Sequence, residues 1–432
     1  MDIKKLPLIR KLKNKFDYQQ KQIDKLDSFA RQLSEENILL RKEIKKLKNE
    51  SINVVFICWR PSVWNSLKTV YEALKNDTDF NVTIVTVPNK KQLKDLYYDH
   101  DFYETEGAED FWIGNDVING YNYETRQWFD IRNLNPDYIC LQQPYNICRP
   151  EQLKSNELSK YAKLFYIEYG YNTTKNIALD CLPKDFIKDV SLFFLQNKTE
   201  EVWYSEYFKE INNNKTKCFV TGFPRFDELS LYKDAESNCW KNKHENKFRV
   251  LWTPRWCLNE NNCHFFKYKD KLFNLFKNNS LYDFVFRPHP QAFDNWIAES
   301  LISNNEIEIM KEMFYESMNL TLDFNKNYLD TFYSSDCLIT DYTSLIGEYF
   351  LTGKPIIYCY SEDSIVNPEG NITKGFYYVK NWQELEGTLN MLQSGNDPLK
   401  NTREELIKTE FFITEESCAN KIKNIIKKDF YN

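Results

Sequence analysis

Three short stretches in the second half of the chain each end an apolar, β-rich run in side chains suited to an anion. LWTPRW offers Thr253 and Arg255, VFRPHP offers Arg287 and His289, and LITDYTS offers Asp341, Thr343 and Ser344. A guanidinium makes bidentate contacts to phosphate. An imidazole donates a hydrogen bond to a phosphate or protonates a leaving one. Thr343 and Ser344 fall where a helix N-cap belongs, ahead of SLIGEYFL, and a helix N-terminus attracts negative charge. Taken singly, the two hydroxyls read as well as an ordinary cap, and His289 as a structural histidine. Three such clusters on one sheet edge make a site for an anionic substrate. Pro254, Pro288 and Pro290 stop the strands and stiffen the loops beyond them.

Such an edge requires parallel strands. Val54 to Cys58, FNVTIVTV, PDYICLQQ and KLFYIEYG are short buried runs that alternate with helix-like stretches, and the pattern restarts at KFRVLWTPRW, YDFVFRPHP, DCLITDYTS and KPIIYCY. Alternation of this kind means βαβ units and a parallel sheet. The expected fold class is α/β, two Rossmann-like lobes facing a cleft, with a basic tip and coiled-coil helix over 1–50, one lobe over 51–220 and a second over 221–432. The Asn-rich INNNKTKCFVTGFPRFDEL is the crossing between lobes. Neither G-x-G-x-x-G nor the P-loop pattern occurs. Ligands of open α/β sheets nevertheless sit beyond the carboxyl ends of strands.

At 432 residues the chain exceeds one hydrophobic core. With 42% hydrophobic and 16% aromatic residues it can fill two. A net charge of −6 argues against a nucleic-acid partner, which asks for a basic footprint. Eleven cysteines lack any C-x-x-C spacing, and several sit in strand patterns, which reads as buried thiols in a reducing compartment without structural zinc. No apolar run has the length of a spanning helix, and the start lacks the core of a secretion signal. The expected location is cytoplasmic or peripheral at the cytoplasmic face of the cell membrane.

From Leu12 to Leu47 the residues Leu12, Phe16, Gln19, Ile23, Leu26, Ala30, Leu33, Asn37, Leu40, Ile44 and Leu47 follow one another at alternating spacings of four and three. Ile at a, Leu at d and a single Asn at a specify a parallel two-stranded coil, hence a homodimer through residues 12–47. A long helix folding back on its own globular part satisfies the same pattern. Ahead of it, Lys4, Lys5, Arg10, Lys11, Lys13 and Lys15 among apolar residues suit an anionic membrane surface, or form a solvated terminus.

TDYTSLIGEYFLTGKPIIY, FRPHP, WTPRW and GFPRFDEL resemble the C-terminal motifs of the CDP-glycerol glycerophosphotransferase family, the teichoic-acid primases and polymerases and related capsule enzymes. FICWRPSVW and NPDYICLQQPYN carry a weaker likeness, and the resemblance covers about residues 52 to 425. It implies a GT-B-like fold with an acceptor lobe over 51–220 and a nucleotide-donor lobe over 221–432. By that resemblance His289 contacts the diphosphate and assists CMP departure, with Arg287 beside it. Thr343 and Ser344 hold phosphate oxygens, Glu348 takes the ribose hydroxyls, Thr253 and Arg255 line the donor pocket, and Asp341 belongs to the same cluster. No metal or other cofactor is required in principle, since protein cations neutralise the transferring phosphoryl charge.

One position departs from the family. Where its members carry Trp-His-Gly at a first-lobe strand end, the stretch here reads YIEYGYNTTK, with Tyr169 at the place of the supposed catalytic base. A tyrosine near pKa 10 is a poor base, which leaves Glu168 as the alternative and His100 as a remote one. The leading expectation is transfer of glycerol phosphate, or a similar group such as that of CDP-ribitol, from a CDP-activated donor to a hydroxyl of a surface polysaccharide or lipid-linked glycan. A GT-B glycosyltransferase using a nucleotide sugar, and a catalytically inactive scaffold homologue in capsule assembly, are the alternatives.

Overall fold

The computed structural model describes residues 7–59, 61–90, 103–104, 117–213, 215–242, 246–325, 327–365, 367–411 and 415–432. Residues 1–6 of the basic tip and His100 lie outside the described residues. Two parallel sheets carry the molecule. The first contains β1 (Ile52–Cys58), β2 (Phe80–Thr86), β3 (Val117–Asn119), β4 (Tyr138–Leu141), β5 (Lys163–Ile167), β6 (Val190–Leu195) and β7 (Lys217–Val220) in the order β7-β6-β5-β4-β1-β2-β3. The second contains β8 (Phe248–Thr253), β9 (Tyr282–Phe286), β10 (Leu320–Leu322), β11 (Cys337–Thr340), β12 (Ile356–Cys359) and β13 (Phe376–Val379) in the order β10-β9-β8-β11-β12-β13.

The strands are runs of Val, Ile, Leu and Phe because both faces are covered; every residue of β4, β9, β11 and β12 is buried. In the second lobe the cover is largely aromatic. Trp252 stacks on Phe265 at 5.5 Å, and Phe265 on Trp296 at 4.2 Å, an arrangement that adds ring geometry to area burial.

Strand order reverses once in each sheet, between β4 and β1 in the first and between β8 and β11 in the second. Connections leave such a pair in opposite directions, so a crevice opens beyond their carboxyl ends.

Among the helices of the described residues, four bear on the site and the lobe contacts: α1 (Pro7–Lys48), α2 (Phe265–Lys277), α3 (Leu345–Phe350) and α4 (Cys418–Tyr431). The division 221–432 needs one correction. Helix α4 leaves the second lobe and packs Ile422, Ile426 and Phe430 into the first-lobe core with Phe56, Cys140 and Phe165. The physical reason is an apolar stripe matched to the open face of the first sheet. Its N-terminus is fixed by Asp227, whose two carboxylate oxygens accept from the Cys418 and Ala419 N–H groups at 2.8 and 2.9 Å.

The lobes meet through the loop after β5. Tyr171 stacks on Phe411 at 5.2 Å, and Thr174 Oγ1 donates to Asn367 O at 2.9 Å. Tyr171 also lies over Gly347 on α3, where even a methyl group would run into its ring. Among the described residues no helix is long and apolar enough to cross a membrane.

Candidate active site

The register of β9, β8 and β11 decides where the three polar clusters go. Trp252 lies opposite Phe286 on one side and Ile339 on the other, and Thr253 lies opposite Thr340. The ends of these strands therefore sit side by side, and the pair β8–β11 is the switch point itself. Thr340 Oγ1 donates to Thr253 O at 2.8 Å, and the two hydroxyls are 2.9 Å apart. Thr253 was expected to line the donor pocket. Its side chain is buried at the switch point and ties β8 to β11.

Asp341, the residue after β11, organises the loops around this switch point. It is fully buried; Oδ2 accepts from the N–H groups of Arg255 and His264 at 2.9 and 3.0 Å, and Oδ1 lies 2.8 Å from His264 Nδ1. A buried carboxylate held by three donors fixes the loop after β8 and the start of α2 against the end of β11. Arg255 grips Glu260 through Nε and Nη2, both at 2.7 Å, and lies 5.6 Å from the Tyr342 ring centroid. Its charge is thus held at the crevice but already paired.

His289 reaches the surface with its ring stacked on Trp256 at 5.4 Å. Its Nδ1 accepts from the Gln291 N–H at 3.2 Å, so the proton of the neutral ring sits on Nε2. Partial burial, and then the nearby Arg255 charge, lower its pKa from 6.5. At neutral pH His289 is a neutral Nε2–H donor.

Thr343 Oγ1 accepts from the Leu345 N–H at 3.3 Å, while Ser344 occupies the cap position, makes no cap hydrogen bond with its side chain and is exposed. Helix α3 has six residues, so a long-helix dipole is not available here and specific donors carry any anion binding.

Two expected contacts are taken by protein partners. Arg287 donates from Nη1 to Asp323 Oδ2 and from Nη2 to Asn325 O, each at 2.5 Å, beneath the Tyr328 ring. The buried Asp323 at the end of β10 claims the fork that phosphate was expected to take. Glu348, expected to hold ribose hydroxyls, is 7% exposed. Its Oε1 accepts from Arg225 Nε and its Oε2 from the Tyr328 hydroxyl, both at 2.8 Å, and Arg225 Nη2 donates to the same hydroxyl at 2.6 Å. Arg225 comes from the interlobe GFPRFDEL, so this triad locks the crossing segment to α3.

In the first lobe, Glu168 follows β5 but is not presented to a cleft ligand. It is 4% exposed, with Oε1 accepting from Tyr204 at 2.8 Å and Oε2 from Tyr166 at 3.2 Å. Asn172 Nδ2 links Tyr204 to Glu200 Oε1, at 3.2 and 2.6 Å. Burial raises both carboxyls above their usual range, and the Glu200 charge raises Glu168 further. The Tyr169 hydroxyl lies 2.7 Å from that of Tyr145, and burial pushes its pKa up to about 12. At neutral pH even less of it is ionised than of a free tyrosine. Tyr169 is two residues before Tyr171, whose ring covers Gly347, so its loop faces the α3 side of the second lobe.

The sequence reading missed His264, Glu260, Asp323, Arg225 and Tyr328 as members of this region. Only Arg225 carried a signal, its place in GFPRFDEL.

Two parallel α/β lobes, each with one switch point, have the architecture of the GT-B-like class. Within it, residues 188–378 match the model of the family CDP-Glycerol:Poly(glycerophosphate) glycerophosphotransferase, which bears out the resemblance read from the motifs. The putative UDP-N-acetylglucosamine 2-epimerase of Listeria monocytogenes is 14% identical with a TM-score of 0.59, covering 88% of this chain and 97% of that one. The UDP-GlcNAc 2-epimerase of Neisseria meningitidis is 13% identical with a TM-score of 0.57, covering 87% and 100%. The wall teichoic acid polymerase TagF is 15% identical with a TM-score of 0.53, covering 94% and 98%. At these identities the likeness shows the shared fold. A curated relative, the eukaryotic translation initiation factor 2-alpha kinase PK4 of Plasmodium berghei (strain Anka), is 24% identical over 230 residues, and the match spans 51% of this chain and 8% of that protein.

Proposed function

We propose that this protein transfers a polyol phosphate, glycerol phosphate in the first instance, from a CDP-activated donor to a hydroxyl of a surface polysaccharide or lipid-linked glycan, releasing CMP. The observation that carries the reading is the convergence of the β9, β8 and β11 ends at a switch point inside the segment that matches the glycerophosphotransferase family. The TagF structures, one of which was soaked with CDPG, support the donor class.

In this reading the donor lies across the crevice beyond Thr253 and Thr340. The acceptor oxygen attacks the polyol-bearing phosphorus, the bond from that phosphorus to the bridging oxygen breaks, and CMP leaves with the electron pair. His289 serves as a hydrogen-bond donor from Nε2 to the departing phosphate, and the Ser344 hydroxyl as a second donor. Asp341 positions the Arg255 loop; it does not meet the anion. A loose phosphoryl transition state asks little of a base, because the attacking hydroxyl becomes acidic only as the new bond forms. The proton then leaves late, to a phosphate oxygen or to water, which is compatible with the sealed Glu168 and the tyrosine at position 169. The protein works in this account without a resident cofactor, at the cytoplasmic face of the membrane where nucleotide donors are made.

The higher TM-scores of the two epimerases favour keeping a nucleotide-sugar enzyme as the second reading. Thermal shift with CMP, CDP, CDP-glycerol, CDP-ribitol, UDP and GDP separates the two. A ligand at about 100 times its dissociation constant stabilises by about 2.7 kcal/mol. Selective stabilisation by cytidine nucleotides followed by CMP release is expected. Stabilisation by UDP or GDP alone overturns the proposal in favour of a nucleotide-sugar enzyme, and no response overturns it in favour of an inactive scaffold.

A further inference from the structure

Helix α1 touches its own lobe with one face and shows solvent another. Ser34 and Arg41 donate to the carbonyls of Lys160 and Tyr161, Lys42 Nζ donates to Asp429 O at 3.0 Å, and Lys45 pairs with Asp137 at 2.5 Å. With Ile23 at heptad position a, these residues fall at e, e, f and b. The seam lies elsewhere. Ile23, Leu26, Leu33, Leu40, Ile44 and Leu47, at a and d, are between 43% and 85% exposed, and Asn37 is exposed among them. The helix does fold onto its own lobe, but through its polar flank, and that contact leaves the apolar stripe uncovered. A sustained stripe of a and d residues in water is the surface that a second helix buries.

We propose that a second copy of this chain covers the seam in a parallel, in-register, two-stranded coiled coil. Isoleucine at a with leucine at d is the packing that two parallel strands favour. Register places Asn37 against its own copy, where the two amides can satisfy each other. The flanking charges complete the argument. In a parallel pair, g of one helix meets e of the next heptad in the other, which sets Glu43 against Lys48 of the second copy, while Arg41 at e stays on its own body. Antiparallel pairing sets g against g and loses that match.

The placement of the coil also fits the site. Asp137, the partner of Lys45, precedes β4 and accepts from the Asn53 N–H of β1 at 2.7 Å, while Asp429 pairs with Lys163 at the start of β5 at 2.6 Å. The coil is therefore rooted at the amino ends of the first sheet, and the strand-end cluster lies at carboxyl ends. Each body hangs from the flank of its helix, so a twofold axis along the coil puts the two bodies on opposite sides. Residues 7–33, ahead of the docking contacts, extend about 40 Å if straight.

Light scattering on the full chain over a micromolar concentration series tests this. Wild type is expected at twice the 51.9 kDa chain mass, and Leu33→Lys with Leu40→Lys is expected to be monomeric. Both leucines are exposed, so circular dichroism and the melting temperature of the body should stay unchanged in that variant. A monomeric wild type, a higher oligomer, or a dimer that survives the two lysines overturns the proposal. Orientation has its own test. Glu43→Lys should raise the dimer dissociation constant about tenfold, and adding Lys48→Glu should restore it; a double variant as weak as the single one overturns the parallel register.

Discussion

His264 Nδ1 lies 2.8 Å from Asp341 Oδ1, while Asp341 Oδ2 holds the backbone of both Arg255 and His264. One fully buried carboxylate thus fastens three chain segments at the switch point of the second lobe. Its removal strands several donors at once.

Asp341→Asn therefore substitutes an amide for the acceptor of three hydrogen bonds. A cost of about 2–4 kcal/mol in urea unfolding is expected, since hydrogen bonds to a buried charge are worth about twice neutral ones. The rate of CMP release should fall about 100-fold through displacement of the Arg255 loop. His264→Ala should reproduce the activity loss in smaller measure; a His264→Ala protein with wild-type rates would show that the pair does not position the loop.

Arg225 and Glu348 form a buried ion pair with Tyr328 between them. Arg225→Ala leaves an unpaired carboxylate and should destabilise by about 3–5 kcal/mol, whereas Arg225→Met with Glu348→Leu should recover most of that loss. Chemical denaturation of the two variants checks the contrast. Equal stability of single and double variants would mean that the pair is not what holds the crossing segment to α3.

The pKa of His289 is lowered from 6.5 by partial burial and by Arg255. For a histidine whose native pKa lies below its unfolded value, the stability contribution is complete above pH 6.5 and is lost as pH falls through the native value. Protonation also places a hydrogen on Nδ1 against the Gln291 N–H. The rate of CMP release should therefore hold above pH 6.5 and decline on acidification. Arg255→Gln should move that acidic limb toward 6.5, and His289→Ala should lower kcat by about 10²–10³-fold. An acidic limb unmoved by Arg255→Gln would assign it to another group.

Glu168 and Glu200 carry native pKa values raised above the ordinary 4.5 by burial. The native state then keeps protons that the unfolded state releases, so this stability is complete below pH 4.5 and drains away as pH rises through the native values. Glu168→Gln removes one titrating group while keeping an oxygen for Tyr204 or Tyr166. Melting temperatures of wild type should fall from pH 5 to 8 more steeply than those of Glu168→Gln. Parallel curves would show that the pair does not titrate in that window.

The chemistry-bearing clusters were legible because each ends a β-rich run in polar residues and proline, and a parallel sheet aligns such ends whatever its strand order. The long helix α1 was equally legible, since a spacing of three and four needs only local helix geometry. Strands β6 and β7 were not singled out, nor were the edge strands β3, β10 and β13; β10 is a three-residue strand whose LTLDF gives little local signal.

What the linear order could not supply is the pairing of charges. Arg287 looked free for phosphate because Asp323 is 36 residues away in sequence, and Glu348 looked free for a ribose because its partner Arg225 is 123 residues distant. Glu168 looked like a base because Tyr204, which donates to its Oε1, is 36 residues away in sequence. Residue type and local spacing fix which groups reach a strand end and which face of a helix is apolar. Which of those groups remain open to a ligand depends on desolvation and on partners delivered by strand order and by lobe contact, and those are properties of the folded chain alone.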